Sequence, residues 1–521
     1  MPDGTWFLSG PCAVRLSVPG GRQVRPNGRI VPHILYLIPH TGTPMRILLS
    51  LISLLLIPSA VSAATACVAD TVSPDILPTE SRSLPEMSVI SEFNAAPRPA
   101  GPRQDSGFPQ PVSYTSAGSP DSVAAVISSR LSELICNDIF ARTQFGLYVY
   151  DLTTDRPVFA CGERQQLRPA SNQKVVTAIA ALKLLGTDFR YTTSLYADGN
   201  VCDSVLQGNL CIRAGFDPLF DSADLQTFIS ALDERGIRTV SGDVVFDRTI
   251  KDTASLGWGW CWDDKEIPLS PLIYDGRPGL ERRFVAALSE RGISLGGSIR
   301  YGALPSSAEH LCTCTHTIDQ VLLPMMKRSD NLYAESLFYQ IAARNGQRYA
   351  GRKQAAAQIN GLISGLGLDP KAYQIADGSG LSLYNYLSPE LLVSLLRHAY
   401  RHSSIYNHLL PSLPVAGIDG TLRRRMKSGP ACGNVCAKTG TVEGVSTLSG
   451  YCTAPDGHTY CFSIMNQGIR HTSTGRNFQD RVCQALTRPL DVPSDTTEED
   501  ESTTETTEEA TPTAEENTGT P

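Results

Sequence analysis

Three short strings constrain this chain more than anything else in it: Ser171-Asn172-Gln173-Lys174, Ser329-Asp330-Asn331 and Lys438-Thr439-Gly440. Each alone is common. All three, in this order and each in a suitable local setting, describe a serine acyl-transfer site that uses no histidine. Because 154 residues separate Lys174 from Ser329, the fold must bring distant segments back to one cleft.

With 521 residues, the expectation is two domains plus tails. The hydrophobic content of 41% suits a globular protein. The net charge of −7 comes from the ends. Residues 491–521 carry eleven acids and no base, and residues 1–63 carry five Arg against one Asp, so residues 64–490 balance to zero. A nucleic-acid surface would need a basic excess, and none is expected.

Residues 45–63 read as a signal peptide: Arg46 is its basic start, Ile47 to Ile57 its apolar stretch and Val61-Ser62-Ala63 a small-residue cleavage site. Met45 is then the expected initiator and residues 1–44 a leader or mis-called extension. Residues 64–118, rich in Pro, Ser, Ala and Gly, read as a disordered linker, and the Thr/Glu/Pro-rich residues 491–521 as a disordered acidic tail. The expected location is exported and periplasmic, with membrane association left open.

Export favours cysteine pairing over metal binding. Cys452 and Cys461 flank Asp456-Gly457, and a two-residue hairpin there would set them opposite each other. Cys202/Cys211 and Cys432/Cys436 are further candidate pairs. The string His310-x-Cys312-x-Cys314-x-His316 would put four metal-ligating residues on one strand face, but structural zinc favours other spacings, and no metal or other cofactor is expected.

Helices are predicted from about Ser119 to Ile135, over Ser171–Leu185, Thr317–Tyr339, Arg352–Leu366 and Gly475–Thr487, and strands over Phe145–Asp151, Pro157–Ala160, Val435–Lys438, Thr447–Tyr451 and Thr459–Met465. Residues 192–307 are strand-rich with many Gly and Asp and read as an inserted domain between 119–191 and 308–490. Trp258, Trp260 and Trp262 alternate as a strand face would, for packing rather than sugar binding.

A serine hydroxyl needs a base to become a nucleophile. Lys174, one turn after Ser171, is in reach, and acts as a base only if burial or nearby positive charge lowers its pKa. Lys438 can supply that charge. Ser329 can relay a proton to a leaving group, and the Asn331 amide can hold a substrate carbonyl. Polar residues in the middle of a predicted helix call for a break or a functional cause there. Lys438 and Thr439 can bind a carboxylate, Gly440 leaves room for substrate backbone, and the N–H groups of Ser171 and Thr441 can form an oxyanion hole.

On these residues the chain resembles the class C penicillin-binding proteins, exported serine D-Ala-D-Ala carboxypeptidase/endopeptidases, over about residues 119–488. RPASNQK, SDNLYAESL, DGSGLS (377–382), AGIDGTL (416–422) and AKTGTVEGVSTLSGY (437–451) carry the resemblance. It implies an α/β (α+β) architecture, the penicillin-recognising serine hydrolase fold: a five-stranded antiparallel sheet with helices, a helical lobe and an inserted strand-rich domain. It implies peptidoglycan stem peptides as substrates, β-lactams as covalent inhibitors, and no obligate protein partner. Gly215-Phe216-Asp217-Pro218 matches the family's early GDP-type string, and Asp217 is implied to bind the amine end of a diaminopimelate-type stem peptide. Two departures stand out. Leu383 occupies the place of the family's usual Arg, and the insertion is abbreviated. The competing readings are a serine β-lactamase or esterase of the same superfamily and a non-catalytic cell-wall-peptide-binding protein. No deacylating Glu in an E-x-x-L-N-type string supports a class A β-lactamase.

Overall fold

The computed structural model describes residues 112–113, 122–136, 140, 142–261, 264 and 267–489. The expected signal peptide, nearly all of the expected linker, the expected acidic tail and Trp262 lie outside them.

The described chain begins with strand β1 (Val112–Ser113), helix α1 (Val123–Ile135), β2 (Gln144–Asp151) and β3 (Arg156–Cys161). A single helical turn over Ala170–Asn172 then leads into α2 (Gln173–Leu184). A strand-rich stretch follows: β4 (Arg190–Cys202), β5 (Val205–Arg213), α3 (Ser222–Glu234), β6 (Thr239–Val240), β7 (Val244–Asp247), β8 (Ile273–Tyr274), β9 (Arg277–Pro278), α4 (Leu280–Glu290), β10 (Ser294–Leu295), β11 (Ile299–Tyr301) and β12 (Glu309–Thr317). Helices return as α5 (Ile318–Lys327), α6 (Asn331–Ala342), α7 (Arg352–Gly365), α8 (Pro389–Tyr400) and α9 (Ser403–Ser412). Strands β13 (Cys436–Val442), β14 (Val445–Thr453) and β15 (Thr459–Gln467) and helix α10 (Thr472–Thr487) complete it.

The first sheet runs β1-β3-β2-β15-β14-β13, antiparallel throughout. Five strands are substantial. The sixth, β1, is a two-residue edge from within the expected linker, and it pairs with Ala160 and Phe159. Alternation along the strands feeds two cores. Tyr150, Tyr451, Cys461 and Met465 face α2 and the helical lobe. Leu147, Val149, Leu448 and Phe462 face α1 and α10. Helix α2 lies inside the first core and is buried all round from Gln173 to Leu182. Its Val175, Val176, Ile179 and Leu182 each contribute roughly 1.5–3 kcal/mol of apolar burial. Its polar Lys174 is buried with them.

The stretch from Arg190 to Thr317 forms a second, mixed sheet with its own core of Leu195, Ile212, Phe228, Phe246 and Phe284. This sheet extends past the expected 192–307 on both sides, since β4 and β12 are antiparallel partners from Arg190 to Thr317. Ser336 Oγ donates to the Phe216 carbonyl at 2.7 Å and Gln340 Nε2 to the Gly215 carbonyl at 2.6 Å, tying α6 to the end of β5.

Several expectations need correction. The β14–β15 connection has three residues at its tip, with Thr453 opposite Thr459 and the Ala454 N–H donating to the His458 carbonyl. This shifts the register by one from the Asp-Gly hairpin. Cys452 then faces Tyr460, Cys461 faces Tyr451, and the two thiols lie on opposite faces of the sheet. Cys202 and Cys211 likewise face Val205 and Tyr196. The twelve cysteines of the described residues form no disulfide with one another, and six are buried. Burial pushes the Cys211 thiol up to about 11 and Cys161 up to about 12, which suppresses thiolate chemistry. The Trp258–Trp260 stretch is a loop rather than a strand: Trp258 packs on Tyr384 and Trp260 Nε1 donates to Asp377. A register shift between His310 and Cys312 breaks the alternation of the His/Cys string; His310 pairs with Thr313 Oγ1, Cys312 and Cys314 pack on the second sheet's core, and His316 bonds Asp217.

Candidate active site

Ser171 lies in the single turn ahead of α2, so Lys174 follows it by one helical turn. Lys174 Nζ donates to Ser171 Oγ at 3.1 Å, to Asn331 Oδ1 at 2.6 Å and to the Ser379 carbonyl at 2.8 Å. The lysine is 0% exposed. These acceptors hold its nitrogen at the serine hydroxyl.

The second string breaks the predicted helix. α5 ends at Lys327 and α6 begins at Asn331. Between them Ser329 adopts the left-handed region with φ 63°. Such backbone is sparsely populated for a residue with a side chain and persists only where its surroundings enforce it. Asp330 caps α6 by accepting from the Tyr333 N–H at 3.3 Å. The break turns Ser329 toward β13, where Lys438 Nζ donates to Ser329 Oγ at 2.8 Å and to the Thr439 carbonyl at 2.7 Å. Lys438 is buried. Burial, then the charge of Lys174, holds its ammonium well below the usual lysine range.

A cavity of about 570 Å³ opens beside Ser171 and Ser329 and is walled by Thr421, Thr439 and Thr441. Thr439 and Thr421 share a hydroxyl–hydroxyl bond of 2.8 Å. Gly440 is required for a different reason from the one expected. A Cβ there would meet Thr447 Oγ1 at 2.1 Å, the Pro169 carbonyl at 2.7 Å and Asn172 Nδ2 at 2.9 Å. The space beside Gly440 is thus filled by the protein itself, and its absent side chain lets the Ser171 turn lie directly on the sheet. Asn172 Nδ2 completes that seam by donating to Thr447 Oγ1 at 2.5 Å.

Asp217 is placed differently. Its side chain is 0% exposed; it accepts from the Leu219 N–H at 2.9 Å and pairs with His316 Nδ1 at 2.7 Å. No surface of the carboxylate is presented to an incoming amine in this conformation. The Asp-Pro position favours the local Asx-type turn, and a non-local histidine takes the remaining oxygen. The hydrogen bond to Asp217 raises the His316 pKa above the ordinary histidine value.

Glu335 and Ser379 carry site geometry without having been singled out from the sequence. Glu335, 1% exposed on α6, accepts from the Gly378 N–H at 3.1 Å and the Ser379 N–H at 2.8 Å. Asp377 holds the next turn through the Gly380 and Ser382 N–H groups at 2.8 and 2.7 Å. This loop presents the Ser379 carbonyl to Lys174. Gly380 in it has φ +84°, and a Cβ would lie 1.8 Å from the Ala170 carbonyl, so only glycine lets the loop close on the Ser171 turn. Thr177 Oγ1 joins in by donating to the Gly378 carbonyl at 2.7 Å. The one available signal was an acid among the apolar Leu332, Ala334, Leu337 and Phe338. At Leu383, the backbone carbonyl accepts from Arg168 Nε at 3.2 Å, which brings a guanidinium to this position from another segment.

Comparison with known proteins finds relatives in sequence and in fold. The chain is 26% identical over 391 residues to the D-alanyl-D-alanine carboxypeptidase DacB of Haemophilus influenzae, covering 59% of this chain and 81% of the relative. It is 29% identical over 429 residues to a D-alanyl-D-alanine carboxypeptidase of an Actinomadura species, covering 62% and 77%. The fold matches the crystal structure of penicillin-binding protein 4 from Haemophilus influenzae with a TM-score of 0.60 at 22% identity, over 70% of this chain and 98% of that one. The model of the D-Ala-D-Ala carboxypeptidase 3 (S13) family matches residues 127–274 and 273–488. The two matched stretches take in all three motif strings and most of the chain, and the protein belongs to the D-Ala-D-Ala carboxypeptidase 3 (S13) family.

Proposed function

We propose that this protein is an exported serine DD-peptidase that hydrolyses D-Ala-D-Ala termini and cross-links of peptidoglycan through an acyl-enzyme on Ser171. The observation that carries the reading is the buried Lys174 nitrogen held 3.1 Å from Ser171 Oγ, with the Lys438–Ser329 pair at 2.8 Å beside the same cavity. Family membership and the names of the relatives agree with it.

In the proposed mechanism neutral Lys174 takes the Ser171 proton as Oγ attacks the carbonyl of the penultimate D-Ala. Negative charge develops on that carbonyl oxygen, where the N–H groups of Ser171 and Thr441 stabilise it. The C–N bond then breaks. Ser329, hydrogen-bonded to Lys438, delivers a proton to the departing amine and is refilled with the proton that Lys174 took, which leaves Lys174 neutral, while the Asn331 amide holds the acyl side. Water attacks the ester as Lys174 takes its proton, Lys174 passes that proton to Ser171 Oγ as the C–O bond breaks, and the acid leaves. A terminal D-Ala as leaving group gives carboxypeptidase action; a cross-linking side chain gives endopeptidase action. A β-lactam acylates Ser171 because its strained amide and carboxylate enter the same site. Export rests on the expected signal peptide at 45–63.

The test is product analysis on purified muropeptides, cross-linked and uncrosslinked. The wild type releases D-alanine or resolves the cross-link, and Ser171→Ala abolishes both. Retained hydrolysis by Ser171→Ala contradicts the assignment; penicillin hydrolysis without peptide turnover marks a β-lactamase, and neither activity marks a peptide-binding protein.

A further inference from the structure

Ser329 sits in left-handed backbone, φ 63°, and keeps that conformation only while its surroundings enforce it. Lys327, the last residue of α5, anchors the start of the turn. Its carbonyl is pressed against Gly420, where φ is +53° and a Cβ would stand 2.8 Å from the Lys327 oxygen. Its side chain is 17% exposed, and Nζ donates to the Leu413 carbonyl at 2.5 Å and to Asp419 Oδ2 at 2.6 Å. Asp419 is fixed in turn, since its Oδ1 accepts from the Val415 N–H at 2.8 Å. Main chain and side chain together tie the end of α5 to residues 413–420.

Residues 413–420 are themselves bound to the strand that carries Lys438. The Ala437 N–H donates to the Pro414 carbonyl and the Ala416 N–H to the Val435 carbonyl, both at 2.9 Å, and Val415 bridges to Cys436. Lys327 thus joins the two halves of one contact. Ser329 lies two residues beyond it, Lys438 one residue beyond Ala437, and Ser329 Oγ and Lys438 Nζ meet at 2.8 Å. A lysine in the last turn of a helix ordinarily serves that helix's own carbonyls and dipole. Here the ammonium reaches partners 86 and 92 residues away. The spacing it sets matters to one chemical event. An amine leaves carbon only as its nitrogen gains a proton, which Ser329 delivers before being refilled with the proton that Lys174 took. A thiol, with an ordinary pKa of about 8.5, leaves as thiolate and needs no such delivery.

We propose that Lys327 is a positioning residue for proton delivery: bound to Asp419 and the Leu413 carbonyl, it holds the Ser329 turn against β13 so that Ser329 Oγ stays on Lys438 Nζ and in line with the departing amine. This rests on the DD-peptidase reading and adds a rule to it: loss of the Lys327–Asp419 tie penalises amine leaving groups and spares thiolates.

The experiment compares kcat/KM for an N-acylated peptide ending in D-Ala-D-Ala with that for its thioester analogue, in which sulfur replaces the scissile nitrogen. In Lys327→Met the amide value falls by about tenfold or more, the scale of a lost charged hydrogen bond, and the thioester value by less than about threefold, so the amide-to-thioester ratio drops. Lys327→Arg, which keeps a cation able to reach Asp419, recovers part of the ratio. Asp419→Asn, a milder change, lowers it in the same direction and decides the matter should Lys327→Met fail to fold. A purely structural role for Lys327 lowers both substrates alike. A ratio unchanged within about twofold in the folded variants, whether or not their thermal stability drops, overturns the proposal. A wild type that releases no D-alanine from the amide refutes the DD-peptidase reading instead, so the two failures are distinct.

Discussion

Lys174 and Lys438 are two lysines enclosed in one protein interior. Burial, then the charge of Lys174, makes protonation of Lys438 less favourable. Lys438→Met leaves Ser329 Oγ without its Nζ partner, so penicillin acylation should slow by about tenfold or more. Stopped-flow acylation rates measure this, and an unchanged rate contradicts the role of the pair. His316 carries a separate prediction. Its bond to Asp217 raises its pKa in the folded protein, so its stabilising contribution is full below the ordinary histidine value near 6.5 and is lost as pH rises through the folded value. His316→Asn should cost about 1–2 kcal/mol in acid and progressively less toward alkaline pH in urea denaturation. A constant difference across pH contradicts a charged pair.

The loop from Asp377 to Ser382 is the element on which the base depends, and Glu335 anchors it. Glu335→Ala leaves the Gly378 and Ser379 N–H groups buried without acceptors, at a cost of about 2–4 kcal/mol. Burial, then the charge of Asp377, pushes the Glu335 carboxyl up to about 8, against the pull of the N–H donors. A raised carboxyl value favours the folded state most below the unfolded value of 4.5, and that contribution fades as pH rises toward 8. Glu335→Gln keeps an acceptor without charge, so it should lose less stability than alanine, and its deficit relative to wild type should narrow from pH 4.5 to pH 8. Chemical denaturation across that range checks both statements. The contrast between elements also explains what the sequence revealed. Helix and strand positions were legible because α7 buries a periodic apolar stripe while α2, β2 and β15 are apolar runs buried on nearly every side, and polar residues in an apolar helix signalled a break or a functional cause at Ser329. The β14–β15 register was not, because two- and three-residue tips both accommodate Asp456-Gly457, and one residue of slip moves Cys452 to the other face. The roles of Glu335 and Asp217 were not legible either. Each is set by partners distant in sequence, Gly378 and Ser379 for one and His316 for the other, and no local pattern encodes them.

For the molecule as a whole, three separate lengths of chain meet at one place: the start of a central helix, a break between two helices of the lobe and the edge strand of the first sheet. Gly440 and Gly380 are where these lengths touch most closely, and the second sheet is tied to the same helix α6 that begins with Asn331. The account's central claim is that this convergence makes Ser171 a nucleophile. Incubation of the purified protein with benzylpenicillin, followed by intact-mass and peptide mass spectrometry, tests it most directly. The account predicts one penicilloyl adduct per chain, mapped to Ser171 and absent in Ser171→Ala. An unmodified wild-type mass, or an adduct that persists on another residue in Ser171→Ala, would contradict it.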